Sequence, residues 1–368
     1  MSALMDKLKK TSTIKDASIL SDSVFFKKKD VILTEVPAIN IALSGSLNGG
    51  LTPGVTMWAG PSKHFKTAFS LLMAKSYLDK YPDAILLFYD SEFGTPQGYF
   101  EAFGIPLERV FHTPITNVEQ LKFDCAQQME NLKRGDKCVV IIDSIGNLAS
   151  KKEVDDAMNE NSAADFTRAK QLKSFFRIVT PHLTMKDIPM VVVNHTYMTM
   201  EMFSKPVVGG GTGSYYSADN IFIIGRQQEK AKSGEKELLG YNFIINVEKS
   251  RYVREKSKIP ITVLHKGGIS KWSGLLDLAT ESGNLAKGKI GAQLAWSYVN
   301  METGEVDDKK WVAKNTNNKD FWEPILACPK FNEFIEAKYK VANGDIIQGD
   351  EDEVDDVYSN LDDGEDFE

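Results

Sequence analysis

The octapeptide Gly60-Pro61-Ser62-Lys63-His64-Phe65-Lys66-Thr67 follows the apolar run Val55–Ala59 and opens directly into a stretch of helical periodicity. Strand, loop and helix in that order are what a phosphate-binding loop requires, because successive backbone N–H groups and a helix N-terminus then face an anion. In such a loop Lys66 reaches the β- and γ-phosphates of a nucleotide and Thr67 ligates Mg²⁺. The pattern asks for glycine where Phe65 stands, so the octapeptide taken alone also fits an ordinary strand-to-helix turn. Lacking that glycine, position 65 is expected to keep an α or β backbone rather than a positive φ.

Two further strand ends point the same way. Val139-Val140-Ile141-Ile142-Asp143-Ser144 reads as a buried strand closing on an acid, the position of a second Mg²⁺ partner. A buried carboxylate is costly without such a partner. The run Ile85–Tyr89 leads into Asp90-Ser91-Glu92, and Glu92 is the candidate to orient and deprotonate an attacking water. Ligands gather at the carboxyl ends of parallel strands, so three such ends on one sheet would converge on one nucleotide.

The elements that must position these groups are legible from about Val31 to Leu278. There the β-branched runs Val55–Ala59, Ala84–Tyr89, Cys138–Ile142, Pro189–Asn194, Asn220–Gly225 and Tyr241–Val247 alternate with helical stretches at Lys66–Lys80, Val118–Leu132 and Asp165–Thr180. Strands separated by helices imply an α/β core with a mostly parallel central sheet covered on both faces. Residues 1–30 are polar and Lys-rich and read as an oligomerisation arm with a short helix. Residues 279–344, with Trp296, Trp311, Trp322 and a charged helix near Phe331–Lys340, read as a small C-terminal α/β lobe.

Composition sets the remaining bounds. In 368 residues no run approaches 18 apolar residues, so we expect no membrane span, and the first 14 residues lack an apolar signal core. Cys125, Cys138 and Cys328 are far apart and form no metal or redox pair, which fits a reducing cytoplasm. The net charge of −7 is unevenly placed. Residues 345–368 hold twelve Asp or Glu and no Lys or Arg, and without them the balance is +5. That segment reads either as a disordered solubilising tail or as a DNA mimic that competes for a basic surface at low salt.

Long stretches in one order resemble the RecA-type recombinases and in particular their branch in T-even-type phages. They are Asn40-Ile41-Ala42-Leu43-Ser44-Gly45, the phosphate loop itself, Phe88-Tyr89-Asp90-Ser91-Glu92-Phe93-Gly94, Ile142-Asp143-Ser144, Gly146-Asn147-Leu148-Ala149-Ser150-Lys151-Lys152-Glu153, Asn194-His195-Thr196, Gly209-Gly210-Gly211-Thr212-Gly213 and Glu248-Lys249-Ser250-Arg251. In the phage branch Phe stands where Phe65 does.

The resemblance implies a DNA-dependent ATPase using ATP and Mg²⁺. It would polymerise as a helical filament on single-stranded DNA and exchange it with a homologous duplex in recombination, repair and recombination-dependent replication. A loading mediator and a single-strand-binding protein are implied as partners, and an infected host's cytoplasm as the location if the chain is phage-encoded.

It also implies residue roles. Tyr99 would stack on adenine, though as a lone aromatic it equally suits packing. His195 would sense the γ-phosphate, though it equally suits a hydrogen-bonded core histidine. Lys249 and Arg251 would enter the neighbouring subunit's ATP site. A first DNA loop would lie near 153–164, with Arg168 and Lys170 opening the next helix. A second would span Thr196–Ser217 and carry Met198, Met200, Met202, Phe203, Lys205, Gly209, Gly210, Gly211 and Gly213. Glycines let the backbone approach phosphates, Lys205 neutralises one, and soft apolar side chains wedge between unstacked bases. A hexameric helicase, a small-molecule kinase and a regulatory ATP-binding adaptor share the phosphate loop. With some 30 residues ahead of the core, no accessory helicase domain is expected, and we find neither the arginine-bearing lid nor the acceptor pocket of a kinase.

Overall fold

The computed structural model describes residues 3–25, 30–159, 167–199, 204–230 and 238–341. The first half of the chain runs α1 (Ala3–Thr11), α2 (Pro37–Ser44), β1 (Gly54–Ala59), α3 (Lys66–Lys80), β2 (Ile85–Asp90), α4 (Gln97–Ala102), β3 (Val110–Pro114), α5 (Val118–Asn131), β4 (Cys138–Asp143), α6 (Lys151–Met158) and α7 (Thr167–Lys186). Then come β5 (Pro189–Asn194), β6 (Thr196–Met198), β7 (Pro206–Val208), α8 (Thr212–Ser217), β8 (Asn220–Lys230), β9 (Leu238–Ser250), β10 (Lys258–Leu264) and β11 (Gly268–Ile269). The chain continues through α9 (Leu275–Glu281), β12 (Leu285–Ile290), β13 (Gln293–Tyr298), β14 (Trp311–Val312), α10 (Lys319–Leu326) and α11 (Pro329–Tyr339).

Nine strands form one sheet in the order β11-β10-β9-β8-β1-β5-β4-β2-β3. The six strands from β8 to β3 are parallel, and β9, β10 and β11 extend the sheet by antiparallel pairing. Residues of the central strands alternate between two cores. Trp58, Leu86, Phe88, Val139 and Ile141 enter one, while Met57, Ala59, Leu87, Tyr89, Val140 and Ile142 enter the other. Burial on both faces is why these strands appear in sequence as unbroken apolar runs. Helix α3 covers one face with Phe69, Leu71 and Met73, and α5 and α7 cover the other with Leu121, Phe175 and Val179.

The C-terminal region adds a three-stranded sheet, β12-β13-β14, and two helices. Residue 278, where the sequence changes texture, lies inside α9 rather than between elements. Phe321, Trp322, Phe331 and Ile335 join the same buried cluster as Ile39 and Phe69. Asn332 of α11 accepts from Ser46 Oγ at 3.2 Å and from the Leu47 amide at 3.1 Å, which ties this region to the loop after α2. In α1, Leu4 and Leu8 point one apolar stripe outward (65% and 55% exposed). Among the described residues, no helix is long and apolar enough to cross a membrane.

Candidate active site

The carboxyl ends of β1, β2, β4 and β5 meet at a cavity of about 330 Å³ lined by Lys66, Thr67, Glu92, Tyr99, Asp143 and His195. Ser62, Lys63, His64 and Phe65 form its floor, and Gly60 and Pro61 lead into it from β1. Lys66 is buried (6% exposed), and its ammonium donates to the Pro61 carbonyl at 2.8 Å, which folds the loop around the charge. Burial pulls the Lys66 pKa below its ordinary value, with Glu92 and Asp143 opposing. Such a cation gains by meeting an anion in the cavity.

The loop overturns one expectation. Phe65 has φ 56° and ψ 19°, the left-handed region, and Lys63 has φ 60°. A non-glycine residue there costs about 1–2 kcal/mol. The Phe65 ring packs at 5.3 Å from Phe243, and burial of that ring offsets the backbone cost. His64 is held beside them by a 2.8 Å contact from Nδ1 to the Ser62 carbonyl, and burial lowers its pKa.

Thr67 Oγ1 donates to Asp143 Oδ2 at 2.6 Å. The other oxygen, Oδ1, is buried with no hydrogen-bond partner, and burial raises the Asp143 pKa to about 6. An orphaned carboxylate oxygen beside a threonine hydroxyl fits a hard divalent cation that keeps most of its waters and borrows phosphate oxygens. Among the described residues no group of three His, Cys, Asp or Glu could hold a metal alone.

Glu92 is fixed through one oxygen. Its Oε1 accepts from Ser144 Oγ at 2.6 Å and Asn147 Nδ2 at 3.0 Å, and contacts His195 Nε2 at 2.9 Å. The His195 hydrogen bond is the largest cause lowering the Glu92 pKa to about 2, with Ser144 adding to it against burial. Glu92 is therefore a carboxylate at neutral pH. Ser144 and Asn147 escaped the sequence reading, although both stand inside the motifs that carried the resemblance. Beyond Glu92, the His195 carbonyl accepts from the Gly209 amide at 2.9 Å, and Asn194 Nδ2 donates to the Gly209 carbonyl at 2.8 Å. The carboxylate is thus two residues away from the base of the β6–β7 hairpin.

Tyr99 lines the cavity from α4 with its ring edge-on to Phe103. Lys249 and Arg251 lie elsewhere. Lys249 pairs with Ile221 near the start of β8, whose Asn220 sits beside Thr56 of β1, so both cations belong to the opposite end of the parallel strands from the phosphate loop. Lys249 Nζ donates to the Tyr215 carbonyl at 2.8 Å, and Arg251 pairs with Asp219 at 2.6 Å while remaining 67% exposed. Neither is among the residues lining this chain's own nucleotide cavity.

The described residues of both expected DNA loops carry regular secondary structure. Residues 153–158 of the first fall in helix α6, started by a capping box in which Ser150 accepts from the Glu153 amide and Glu153 reaches back. Residues 160–166 lie outside the described residues. Arg168 is a half-buried brace: its guanidinium donates to the carbonyls of Leu148, Ile145 and Gly146 at 2.6–2.9 Å. Lys170 is exposed on α7.

The second loop is a hairpin of β6 and β7 followed by α8, with Met198 and Tyr197 exposed (59% and 57%) and Lys205 exposed beside them. Met200, Met202 and Phe203 lie outside the described residues. Gly210 and Gly211 take positive φ values at the start of α8. Gly213 is buried, and a Cβ there would meet the Lys173 backbone at 2.6 Å.

The fold and the cavity together define a phosphate-loop nucleotide-binding core. Comparison with known proteins makes the class specific. The RecA N-terminal domain family matches residues 5–270, and the family of the C-terminal domain of the bacteriophage T4 recombination and repair protein matches residues 272–335. The recombination and repair protein of Enterobacteria phage T4 is 49% identical over 359 residues, 96% of this chain and 91% of that one. Protein RecA of Symbiobacterium thermophilum is 24% identical over 76% of this chain and 79% of its own length. Protein RecA of Clostridioides difficile is 23% identical over 87% and 89%. The chain belongs to the RecA family, in its UvsX-type phage branch.

Proposed function

We propose that this chain is a DNA-dependent ATPase that polymerises on single-stranded DNA and exchanges it with a homologous duplex, with ATP gripped between adjacent subunits. Lys66 and the amides of residues 60–67 hold the phosphates, Tyr99 stacks on the adenine, and Thr67 and Asp143 hold Mg²⁺. The ion would supply charge stabilisation at the β- and γ-phosphate oxygens. Glu92, kept ionised and aimed by the donors on Oε1, orients a water and takes its proton through the free Oε2. Lys249 and Arg251, turned away from their own cavity, complete the neighbour's site as cations supplied in trans.

The observation that carries this reading is the short chain Glu92–His195–Gly209, which joins the hydrolytic carboxylate to the hairpin presenting Met198, Tyr197 and Lys205. A linkage of that kind makes ATP and DNA affinities rise together. Phosphate and stacking contacts carry no base code, so binding is sequence-indifferent and steeply salt-dependent. The exposed Leu4 and Leu8 stripe of α1 docks on a neighbouring subunit, and the acidic segment 345–368 competes with DNA at low salt. A loading mediator and a single-strand-binding protein complete the partner set.

The test is ATP hydrolysis with and without single-stranded DNA, followed by negative-stain imaging of the same mixture. DNA-stimulated turnover and open helical filaments are expected, and Glu92→Gln should keep the filaments without turnover. Closed rings, or turnover indifferent to DNA, would contradict the reading.

A further inference from the structure

The turn that carries Glu92 is built on Asp90, the last residue of β2. Asp90 is buried (4% exposed), and its Oδ1 accepts from the backbone amides of Glu92 at 3.1 Å and Phe93 at 2.8 Å. Phe93 has φ 52°, a left-handed conformation that a non-glycine side chain resists, so the turn relaxes unless something holds it. The second oxygen, Oδ2, faces Nε2 of His112 at 3.2 Å. His112 stands on the edge strand β3, opposite Phe88 in register and diagonal to Asp90 on the same face of the sheet. Its ring stacks on Phe88 with centroids 5.8 Å apart and planes 25° apart, which sets its nitrogen over the carboxylate. Asp90 is thereby saturated, with two amides on one oxygen and the imidazole on the other. Removing the imidazole leaves a buried carboxylate oxygen unpaired.

We infer that His112 is a positioning residue for ATP hydrolysis: it fixes Asp90, and through it the 90–93 turn that aims Glu92. The inference rests on Glu92 acting as the base. It asks nothing of His112 in nucleotide binding, because His112 is on the outer edge of the sheet and is not among the residues lining the cavity.

The experiment compares His112→Phe, which keeps the stack on Phe88 without a donor, with His112→Gln, which restores a side-chain N–H. Steady-state ATPase is measured with saturating single-stranded DNA, and nucleotide affinity with a fluorescent ATP analogue. A net hydrogen bond to this buried carboxylate from an imidazole that is itself half exposed is worth roughly a five-fold effect. His112→Phe is therefore expected to lower kcat about five-fold with KM and nucleotide affinity within about two-fold, and His112→Gln to return kcat to within about two-fold of the parent. Unchanged kcat in His112→Phe, equal losses in both variants, or a change confined to KM would overturn the inference. Should His112→Phe not fold, His112→Ala with added imidazole carries the same test: restored turnover supports the donor's role and absence of rescue refutes it. Glu92→Gln run in parallel separates the two readings. If Glu92→Gln still turns over, the base assignment fails; if it is inactive while His112→Phe matches the parent, only the His112 inference fails.

Discussion

Replacing Asp143 with Asn is expected to stabilise the metal-free protein and to inactivate it. In the fold, burial lifts the Asp143 carboxyl from an ordinary 3.8 to about 6, so ionising it opposes folding. The sign follows from linkage. A raised carboxyl pKa contributes stability that is fully present below 3.8 and is lost as pH rises through about 6. At ~1.36 kcal/mol per tenfold change in proton affinity, the loss at pH 8 is about 3 kcal/mol, and roughly half that at pH 5. Asn has the same shape, keeps an acceptor for Thr67, and carries no charge to desolvate. An unfolding entropy of ~2.1 cal/mol/K per residue over the roughly 320 described residues turns about 3 kcal/mol into a rise of about 4 °C in Tm. The assay is thermal unfolding of parent and Asp143→Asn in chelator at pH 8 and pH 5. The variant should melt about 4 °C higher at pH 8, with a gap near half as large at pH 5, while its ATPase is lost. An unchanged or lowered Tm at pH 8 would refute the reasoning that this carboxylate is held at a cost for a cation.

Two further variants probe the loop and the coupling chain. Phe65→Gly removes both the ring and the left-handed backbone cost, whereas Phe65→Ala removes only the ring. Denaturant titration should rank stability Phe above Gly above Ala, with Ala about 1 kcal/mol below Gly. Gly146→Ala would place a Cβ at 2.3 Å from His195 Cδ2, so the ring must retreat by about 1 Å to reach ordinary contact, and its 2.9 Å contact with Glu92 breaks. DNA stimulation of the ATPase should then fall several-fold while DNA-free nucleotide binding, followed by fluorescence, stays near the parent value.

What the sequence made legible follows from burial. Strands β1, β2, β4 and β5 lie within one residue of their apolar runs, because parallel strands covered on both faces leave no polar alternation to misread. Strand β8 and the antiparallel β9 run several residues past theirs, and α3 matches Lys66–Lys80 end to end. Asp143 and Glu92 stood out because an acid ending such a run needs a reason. The edge strand β3 was missed, since Phe111 and His112 face solvent and the run Val110–Pro114 lacks the apolar continuity of its neighbours. The backbone at Phe65 was misjudged because the compensating ring, Phe243, lies 178 positions away in sequence. Arg168 read only as a cation opening the helix after the first DNA loop, because its use in satisfying carbonyls after β4 leaves no local mark. Helix α6, by contrast, was announced by Ser150-Lys151-Lys152-Glu153, a capping signature that the expectation of a loop overrode. The hairpin β6–β7 has three residues per strand, too few to show an alternation.

The central claim is that one triphosphate is shared by two subunits, Lys66 serving from one and Lys249 with Arg251 from the next. The direct measurement is DNA-stimulated ATP hydrolysis by an equimolar mixture of Lys66→Ala and Lys249→Ala/Arg251→Ala, each inactive alone. In randomly mixed filaments about one interface in four pairs an intact Lys66 with intact neighbouring cations, so turnover should return at about a quarter of the parent rate. A mixture as silent as its two components would contradict the account.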